Sequence, residues 1–261
     1  MRVSVLSMLL ALATAPHATT VHVGGNKVRQ EAARAAARIS SPAVDNSMVY
    51  VGSDDGIFYA FDAAAGAMMW KQANAYQVWS SPVVSNGMVF VESNDYYVHA
   101  FNATTGDAEW KKATGGGVSA TPAVSDGVVF IGSEFPEDNR LYACDSTTGA
   151  VLWQNATRGQ MQSSPTVADS AVYVGSDDFN VYAFDKTSGR VLWAQATAGY
   201  VRSSPAVARS VAYVGSNDGL LYALNATTGS LLWKRATGGS VHESESKASR
   251  AEHDRHFGSS A

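Results

Sequence analysis

The sequence of 261 residues contains only one cysteine, Cys144. A single cysteine excludes an intrachain disulfide, so the fold depends on its packed core rather than on covalent cross-links. Long apolar runs are also missing, because no stretch reaches the roughly 20 residues that a membrane-spanning helix requires. Helical periodicity is absent from residues 40–240, which excludes a solenoid of helix pairs in that range.

Basic charge is scarce as well. The chain carries 19 Lys and Arg residues against 23 Asp and Glu residues, which gives a net charge of −4. A nucleic-acid-binding protein neutralises phosphates with a basic stripe, and the repeats described below contain none, so we expect no nucleic-acid partner. Apolar residues make up 46% of the chain and charged residues 16%, which predicts a sizeable packed core.

The beginning of the chain has the features of a secretion signal. Arg2 provides a positive start, residues 3–15 are apolar, and residues 11–13 form a small-x-small cleavage site. We therefore expect a signal peptide over residues 1–18 and a secreted or extracytoplasmic protein, periplasmic if the host is bacterial. A transmembrane span is not expected.

Two further segments flank the central part of the chain. Residues 19–39 are expected to be a linker or a capping helix, because residues 26–38 are strong helix formers after the potential cap Asn26. Residues 243–261 are polar and charged, which predicts a disordered tail.

The central part, residues 40–242, consists of five repeats. Five tryptophans are spaced by 40, 43, 40 and 40 residues: Trp70, Trp110, Trp153, Trp193 and Trp233. The extra three residues fall in the segment Glu134–Asn139, and an insertion that leaves the flanking pattern in register indicates a longer turn. Each repeat contains four short apolar runs that end at Gly, Asp, Asn or Ser. Four strands in a repeat of 40 to 43 residues predict that each repeat is one blade of a β-propeller. The expected blades span residues 40–79, 80–119, 120–162, 163–202 and 203–242, approximately.

One motif is common to the repeats. It reads Ala-x-(Asp/Asn)-x-x-(Thr/Ser)-Gly-x-x-x-Trp, as in Ala143, Asp145, Thr148, Gly149 and Trp153; repeat one departs from it at Ala65. The motif resembles the tryptophan-docking motif of the pyrroloquinoline-quinone-like (PQQ-like) propellers, in the quinoprotein alcohol dehydrogenase-like superfamily. That family includes quinoprotein alcohol dehydrogenases and the propeller lipoprotein of bacterial outer-membrane protein assembly. The resemblance implies an all-β propeller in which each indole packs on a neighbouring blade.

The number of blades is unusual for this family, whose members usually close with about eight. Three arrangements are compatible with five: a ring that closes at five, an open arc that pairs with another copy, and a shortened version of a longer chain. We favour an open or incomplete array. Such an array exposes blade faces at both ends, which predicts self-association through them.

The resemblance also raises the question of quinone-dependent catalysis. Quinoprotein dehydrogenases use Ca²⁺ or a similar ion, an aspartate base and often a vicinal cysteine pair, and one cysteine excludes that pair. Cys144 takes the strand position that Phe61, Phe101 and Phe184 hold in other repeats, so we expect it to be buried. We expect no catalytic residue and no cofactor, neither PQQ nor Ca²⁺.

Acidic residues recur in the turns between the second and third strands. If they converged on one face they could hold a cation, so they are weak metal-site candidates: Asp55, Glu92, Asp95, Asp178 and Asp218. The alternative, which we favour, is that Asp and Asn are present because such turns require them. Glu92 is irregular, since the other four repeats have Gly there.

The loops that join successive blades vary in sequence where the strands do not. Equivalent positions just before the inner strand form a candidate ligand or partner face: Trp79, Ser119, Gln162 and Arg202. Trp79 is also compatible with extra packing. Among three Asn-x-Thr sequons, Asn155 is the candidate glycosylation site, because we expect it on the exposed side of the outer strand, whereas Asn102 and Asn225 fill turn positions.

Taken together, these patterns predict a non-enzymatic, secreted or periplasmic propeller that acts as a scaffold for binding a protein or another ligand. Two alternatives are a fragment or degenerate relative of a quinoprotein oxidoreductase and the sensor portion of a larger receptor.

Overall fold

The computed structural model describes residues 21–23, 26–28, 40–73, 76–118, 120–134 and 138–241. These residues form 22 β-strands and no helix. Twenty of the strands make five four-stranded antiparallel sheets, and the other two make a hairpin near the N-terminus. The prediction of five four-stranded blades is therefore confirmed.

The hairpin consists of β1 (Val21–Val23) and β2 (Asn26–Val28). Blade 1 contains β3 (Ala43–Asp45), β4 (Met48–Gly52), β5 (Ile57–Asp62) and β6 (Met68–Ala73). Blade 2 contains β7 (Val83–Ser85), β8 (Met88–Ser93), β9 (Tyr97–Asn102) and β10 (Ala108–Ala113). Blade 3 contains β11 (Ala123–Ser125), β12 (Val128–Gly132), β13 (Arg140–Asp145) and β14 (Val151–Ala156). Blade 4 contains β15 (Thr166–Ala168), β16 (Ala171–Gly175), β17 (Asn180–Asp185) and β18 (Val191–Ala196). Blade 5 contains β19 (Ala206–Ala208), β20 (Val211–Gly215), β21 (Leu220–Asn225) and β22 (Leu231–Ala236).

Within each blade the strands pair in chain order, so each blade is a simple meander. The three-residue first strands lie on the inside of the array, where β3, β7, β11, β15 and β19 contact one another in succession. No comparable contact joins β19 back to β3 in the described residues. The array is consistent with an open propeller.

Successive blades pack through two different faces. We call the side of a blade that carries the motif tryptophan its trailing face, and the side that carries the motif glycine its leading face. Between blades 1 and 2, for example, Tyr50 and Trp70 of the trailing face pack on Val89, Val91 and Phe101 of the leading face. Similar clusters fill the other three interfaces.

The motif tryptophans of blades 1–4 make the same polar contact. Each indole Nε1–H donates to a main-chain carbonyl of the next blade at 2.9–3.0 Å; the acceptors are Ala103, Ser146, Lys186 and Ala226. Each ring also lies over the next blade's motif glycine. At Gly189, a Cβ atom would be 2.4 Å from Cε3 of Trp153, so a larger residue does not fit without a shift. How much these contacts stabilise the array stays a prediction.

The helix expected from residue 26 does not begin there, because Asn26–Val28 is a strand that pairs antiparallel with Val21–Val23. The physical reason is visible in the sequence, where β-branched residues flank Gly24-Gly25, a pair typical of tight hairpins. The signal peptide, the rest of the linker and the tail from residue 243 lie outside the described residues.

Candidate functional site: the loop-bearing face

The loops that join the blades and the turns between second and third strands lie on the same face of the array. Main-chain hydrogen bonds connect them: Val78 N–H donates to Ser53 O at 3.3 Å, and Asn94 N–H donates to Gln77 O at 3.1 Å. The loop after blade 1 is thus held between the turns of blades 1 and 2. Equivalent bonds recur around the array, for example from Val201 to Ser176 and from Asn217 to Tyr200.

The acidic residue in each of these turns has a structural role. Its carboxylate accepts a hydrogen bond from the side chain four residues later, at 2.6–2.9 Å; the pairs are Asp55–Tyr59, Asp95–His99, Asp138–Tyr142, Asp178–Tyr182 and Asp218–Tyr222. The carboxylates of Asp178 and Asp218 also accept main-chain N–H groups from the preceding loop, at 3.0 Å. These contacts match what turn chemistry requires of Asp.

At Asp95, Asp178 and Asp218, hydrogen bonds lower the pKa of the carboxyl group by more than burial raises it. Burial raises the pKa of Asp178, yet hydrogen bonds from Tyr182, Asn180 and main-chain N–H groups hold the pKa below its ordinary value of 3.8. Conversely, burial and the hydrogen bond to Asp218 raise the pKa of Tyr222 to about 12. The described residues include no group of three or more His, Cys, Asp or Glu side chains arranged to hold a metal ion.

The predicted partner-face residues are tied to neighbours on their own face. The indole N–H of Trp79 donates to Asp54 Oδ1 at 2.8 Å. Arg202 binds Asp177 in a bidentate ion pair, with Nε to Oδ1 at 2.9 Å and Nη2 to Oδ2 at 2.8 Å. Gln162 donates from Nε2 to Gln160 Oε1 at 3.0 Å. Ser119 lies outside the described residues.

The structure adds a cluster of aromatic residues that sequence reasoning missed. The rings of Phe179 and Tyr200 lie 5.1 Å apart, and the Arg202 guanidinium lies 4.8 Å from the centroid of the Tyr200 ring. Phe179 is 43% exposed and Tyr200 is 42% exposed. Arg202 connects this cluster to Asp177, so aromatic, cationic and anionic groups stand together at the turn of blade 4.

The backbone of Phe179 is unusual for such a bulky residue. Its φ is +72°, in the left-handed region that disfavours large side chains. Tyr96, at the same turn position in blade 2, has φ +68° and is 51% exposed. Blades 1 and 5 have Gly56 and Gly219 there. Aligning the repeats by this turn glycine would have revealed both aromatics.

Glu92 differs from the other acids because it is not in the turn itself. Its side chain is fully buried, and neither carboxylate oxygen has a hydrogen-bond partner. Burial, together with repulsion from Glu134, raises the pKa of Glu92 well above its ordinary value of 4.5. The glycines at this position in other blades lie against loop side chains, as Gly52 does against Val78. Glu92 therefore sits inside the blade interface rather than on the loop-bearing face.

Cys144 lies in the interface between blades 2 and 3, fully buried, as its strand position indicates. Burial raises the pKa of its thiol to about 11, so it stays protonated at neutral pH. The only thiol is buried in the core, and the turn carboxylates already accept hydrogen bonds from their own turns.

The glycosylation candidate has a different environment from the expected one. Asn155 does not project from the exposed side of β14, because its Nδ2 donates to Gly189 O of the next blade at 3.0 Å. Side chains two apart on a strand point to the same side, so Asn155 faces the same neighbour as Trp153. The expectation of an exposed side chain was wrong. The side chains of Asn102 and Asn225 accept turn N–H groups, as expected of turn residues.

Comparison with known proteins gives one family match. The family described as "Outer membrane protein assembly factor BamB" matches residues 22–117 and 98–253. Among curated proteins, none matches the chain.

Several solved structures share the fold. BamB from Moraxella catarrhalis is 27% identical, with a TM-score of 0.67 over 76% of this chain and 61% of that one. The computationally designed protein Ika8 is 19% identical, with a TM-score of 0.70 over 78% of this chain and 64% of that one. The quinohemoprotein alcohol dehydrogenase ADHIIG from Pseudomonas putida HK5 is 17% identical, with a TM-score of 0.63 over 76% of this chain and 42% of that one.

The chain thus spans less than two thirds of the length of each of these three structures. The two matches below 25% identity show the fold alone. No described helix is long and apolar enough to cross a membrane. Because the matched ranges extend over most of the sequence, the chain belongs to the PQQ-like repeat family of β-propellers that includes BamB.

Proposed function

We propose that this protein is a non-enzymatic scaffold that binds a partner protein through the loop-bearing face of blade 4. The observation that carries the proposal is the exposed Phe179, held in a left-handed backbone conformation beside Tyr200 and Arg202. Aromatic residues and Arg are enriched where protein interfaces are buried most deeply.

The left-handed conformation of Phe179 has an energetic cost. A left-handed residue other than Gly costs about 1–2 kcal/mol. A buried ring would offset that cost by packing, yet 43% of Phe179 is exposed. Strained residues that no core contact explains are typical of functional sites. A partner surface that covers Phe179 and Tyr200 would provide the missing burial.

The contacts around Arg202 favour a preorganised binding surface. Its bidentate pair with Asp177 fixes the guanidinium, and the guanidinium in turn lies against the Tyr200 ring. Side chains that are already ordered lose less conformational entropy when a partner binds. Arg202, which we predicted as a direct partner contact, is therefore proposed to hold Tyr200 in place as well.

Two features support the absence of enzymatic activity. The buried, protonated Cys144 offers no reactive thiol, and the turn carboxylates are engaged in hydrogen bonds. We propose that the chain binds neither PQQ nor Ca²⁺. An extracytoplasmic location, periplasmic in a bacterial host, is supported by the signal-like residues 1–18 and by the match to the BamB family.

Site-specific photo-cross-linking tests the binding proposal. A photoreactive phenylalanine analogue at position 179 should give a discrete adduct in cells that produce the protein. The control position is Leu152, which is 55% exposed on the outer strand β14 and should give none. Equal labelling from both positions, or no adduct at position 179, would contradict the proposal.

A second assay distinguishes a non-enzymatic scaffold from a quinone-dependent enzyme. The purified chain is incubated with PQQ and Ca²⁺, and oxidation of alcohols is followed with an electron-accepting dye. We expect no quinone-dependent dye reduction. Turnover that requires PQQ would overturn the non-enzymatic assignment.

A further inference from the structure

The two ends of the array expose complementary halves of a blade interface. Among the described residues, no blade packs on the trailing face of blade 5 or on the leading face of blade 1. The four internal interfaces show how such faces fit together, so they define what each end is able to bind.

The motif tryptophan on the trailing face of blade 5 is more exposed than those of the internal interfaces, where Trp110 and Trp153 are half-buried. Trp233 is 39% exposed, whereas Trp70 and Trp193 are 9% exposed. Its ring keeps the internal arrangement, since it lies 6.0 Å from the Tyr213 ring at 49°, much as Trp193 lies 5.9 Å from Tyr173 at 51°. The face is therefore already formed before anything covers it.

The leading face of blade 1 is the half of a blade interface on which a trailing face would pack. Val49, Val51 and Phe61 are half-buried there, although their equivalents in blade 2, Val89, Val91 and Phe101, are at most 3% exposed. The motif glycine of this face is Gly66, with φ +67° as in the internal interfaces. Its aliphatic and aromatic side chains are the kind on which motif tryptophans pack elsewhere in the array.

The polar groups of the two ends are complementary as well. In the internal interfaces the trailing face donates and the leading face accepts, as when Trp193 Nε1 and Tyr173 Oη both donate to Ala226 O. In the described residues, Trp233 Nε1 and Tyr213 Oη have no acceptor. The carbonyl equivalent to Ala226 O is that of Ala63, on blade 1.

We propose that blade 5 of one copy docks on blade 1 of a second copy, with Trp233 covering Gly66 and donating to Ala63 O. This deepens the scaffold function and rests on it, but it uses a surface that shares no residue with the Phe179 cluster. A second copy carries the fitting face in its own structure, so the contact continues the interface that already joins the blades within the chain.

The contact is directional, which determines how copies assemble. The match to this chain covers 61% of the chain of one solved propeller and 64% of the chain of another. Two copies therefore exceed one turn and do not close into a flat ring of two. Head-to-tail contacts that do not close leave one trailing and one leading face at the ends, so the assembly grows with concentration.

Sedimentation equilibrium of the purified chain tests the proposal. The mass of the unmodified protein should rise with concentration beyond that of a dimer. Trp233→Arg on the trailing face and Val51→Arg on the leading face should each weaken the contact about tenfold or more, as expected for the centre of an interface. Leu232→Arg is the matched control, because Leu232 is 50% exposed on the other side of β22 and should not affect assembly.

Mixing the two variants gives the sharpest result. The Trp233→Arg protein retains its leading face and the Val51→Arg protein retains its trailing face. An equimolar mixture should therefore form a dimer that does not grow. Circular dichroism establishes that each variant is folded, and Phe61→Lys replaces Val51→Arg if the latter is not.

Two outcomes would overturn the proposal: an unmodified chain that stays monomeric up to its solubility limit, or a mixture of folded variants that stays monomeric. Either outcome leaves the cross-linking result at Phe179 unaffected, so failure of self-association is distinguishable from failure of the scaffold function.

Discussion

Replacing Trp153 by Ala should destabilise the protein strongly, because this indole joins blades 3 and 4 in the middle of the array. Its ring packs 5.9 Å from Phe130 and lies over Gly189, and its N–H donates to Lys186 O at 3.0 Å. Removing a large aromatic side chain from such a site costs about 3–5 kcal/mol. The lost hydrogen bond accounts for about 1 kcal/mol of that cost.

The chain provides its own control for this substitution. Trp233 occupies the same motif position, but no blade in the described part of the chain covers it, so truncation removes only its packing within blade 5. We expect Trp233→Ala to cost about 1 kcal/mol, under dilute conditions in which copies do not associate. The two variants thus compare one side chain with and without a neighbouring blade.

Urea unfolding followed by far-ultraviolet circular dichroism measures both free energies of unfolding. For a domain of this size, each kcal/mol of lost unfolding free energy lowers Tm by roughly 2–4 °C, which thermal unfolding checks independently. The slope of the urea transition shows whether the variants unfold as the parent does. Equal losses for Trp153→Ala and Trp233→Ala would refute the claim that docking on the next blade is what stabilises the array.

Three other substitutions test separate parts of the structure. Gly189→Ala places a Cβ 2.4 Å from the docked indole of Trp153. It should therefore lower the unfolding free energy more than Gly87→Ala, because Gly87 has a similar positive φ but no atom within 4 Å. Equal losses of unfolding free energy would contradict the close contact. Because the raised pKa keeps Glu92 protonated in the folded state, stability should fall as pH rises above 4.5, by up to about 1.4 kcal/mol per pH unit. Glu92→Gln should remove this pH dependence of stability. If parent and variant differ in unfolding free energy by the same amount at every pH, the protonated Glu92 is not its cause. Phe179→Gly should stabilise the free protein by about 1 kcal/mol by relieving its left-handed conformation, and a large loss of stability would show that the ring is a core residue instead.

The fold could be predicted because its signals are periodic. Tryptophan spacings and turn residues repeat every 40 to 43 residues, and an insertion shifts that spacing once without disturbing the strands on either side. The structure places the insertion between β12 and β13, in the turn where the sequence put it. Repetition in this case compensates for the weak signal of each short strand.

The candidate site was harder to predict because its features are exceptions to the repeat. The sequence analysis did not single out Phe179, because that analysis did not align the turns by the glycines Gly56 and Gly219 and the left-handed backbone of Phe179 is seen in the structure. Asn155 was assigned to the wrong side of its strand, although its spacing of two from Trp153 already fixes the side. Glu92 was recognised as irregular, but its complete burial depends on how blades 2 and 3 pack, which one sequence does not show.

Hydrogen exchange of the indole N–H groups, followed by nuclear magnetic resonance, tests the central claim most directly. If each motif tryptophan docks on the following blade, the signals of Trp70, Trp110, Trp153 and Trp193 exchange slowly, and that of Trp233 exchanges fast in dilute solution. Fast exchange of all five would contradict the docked arrangement. Slow exchange of Trp233 at concentrations where the chain is monomeric would show that the array is closed rather than open.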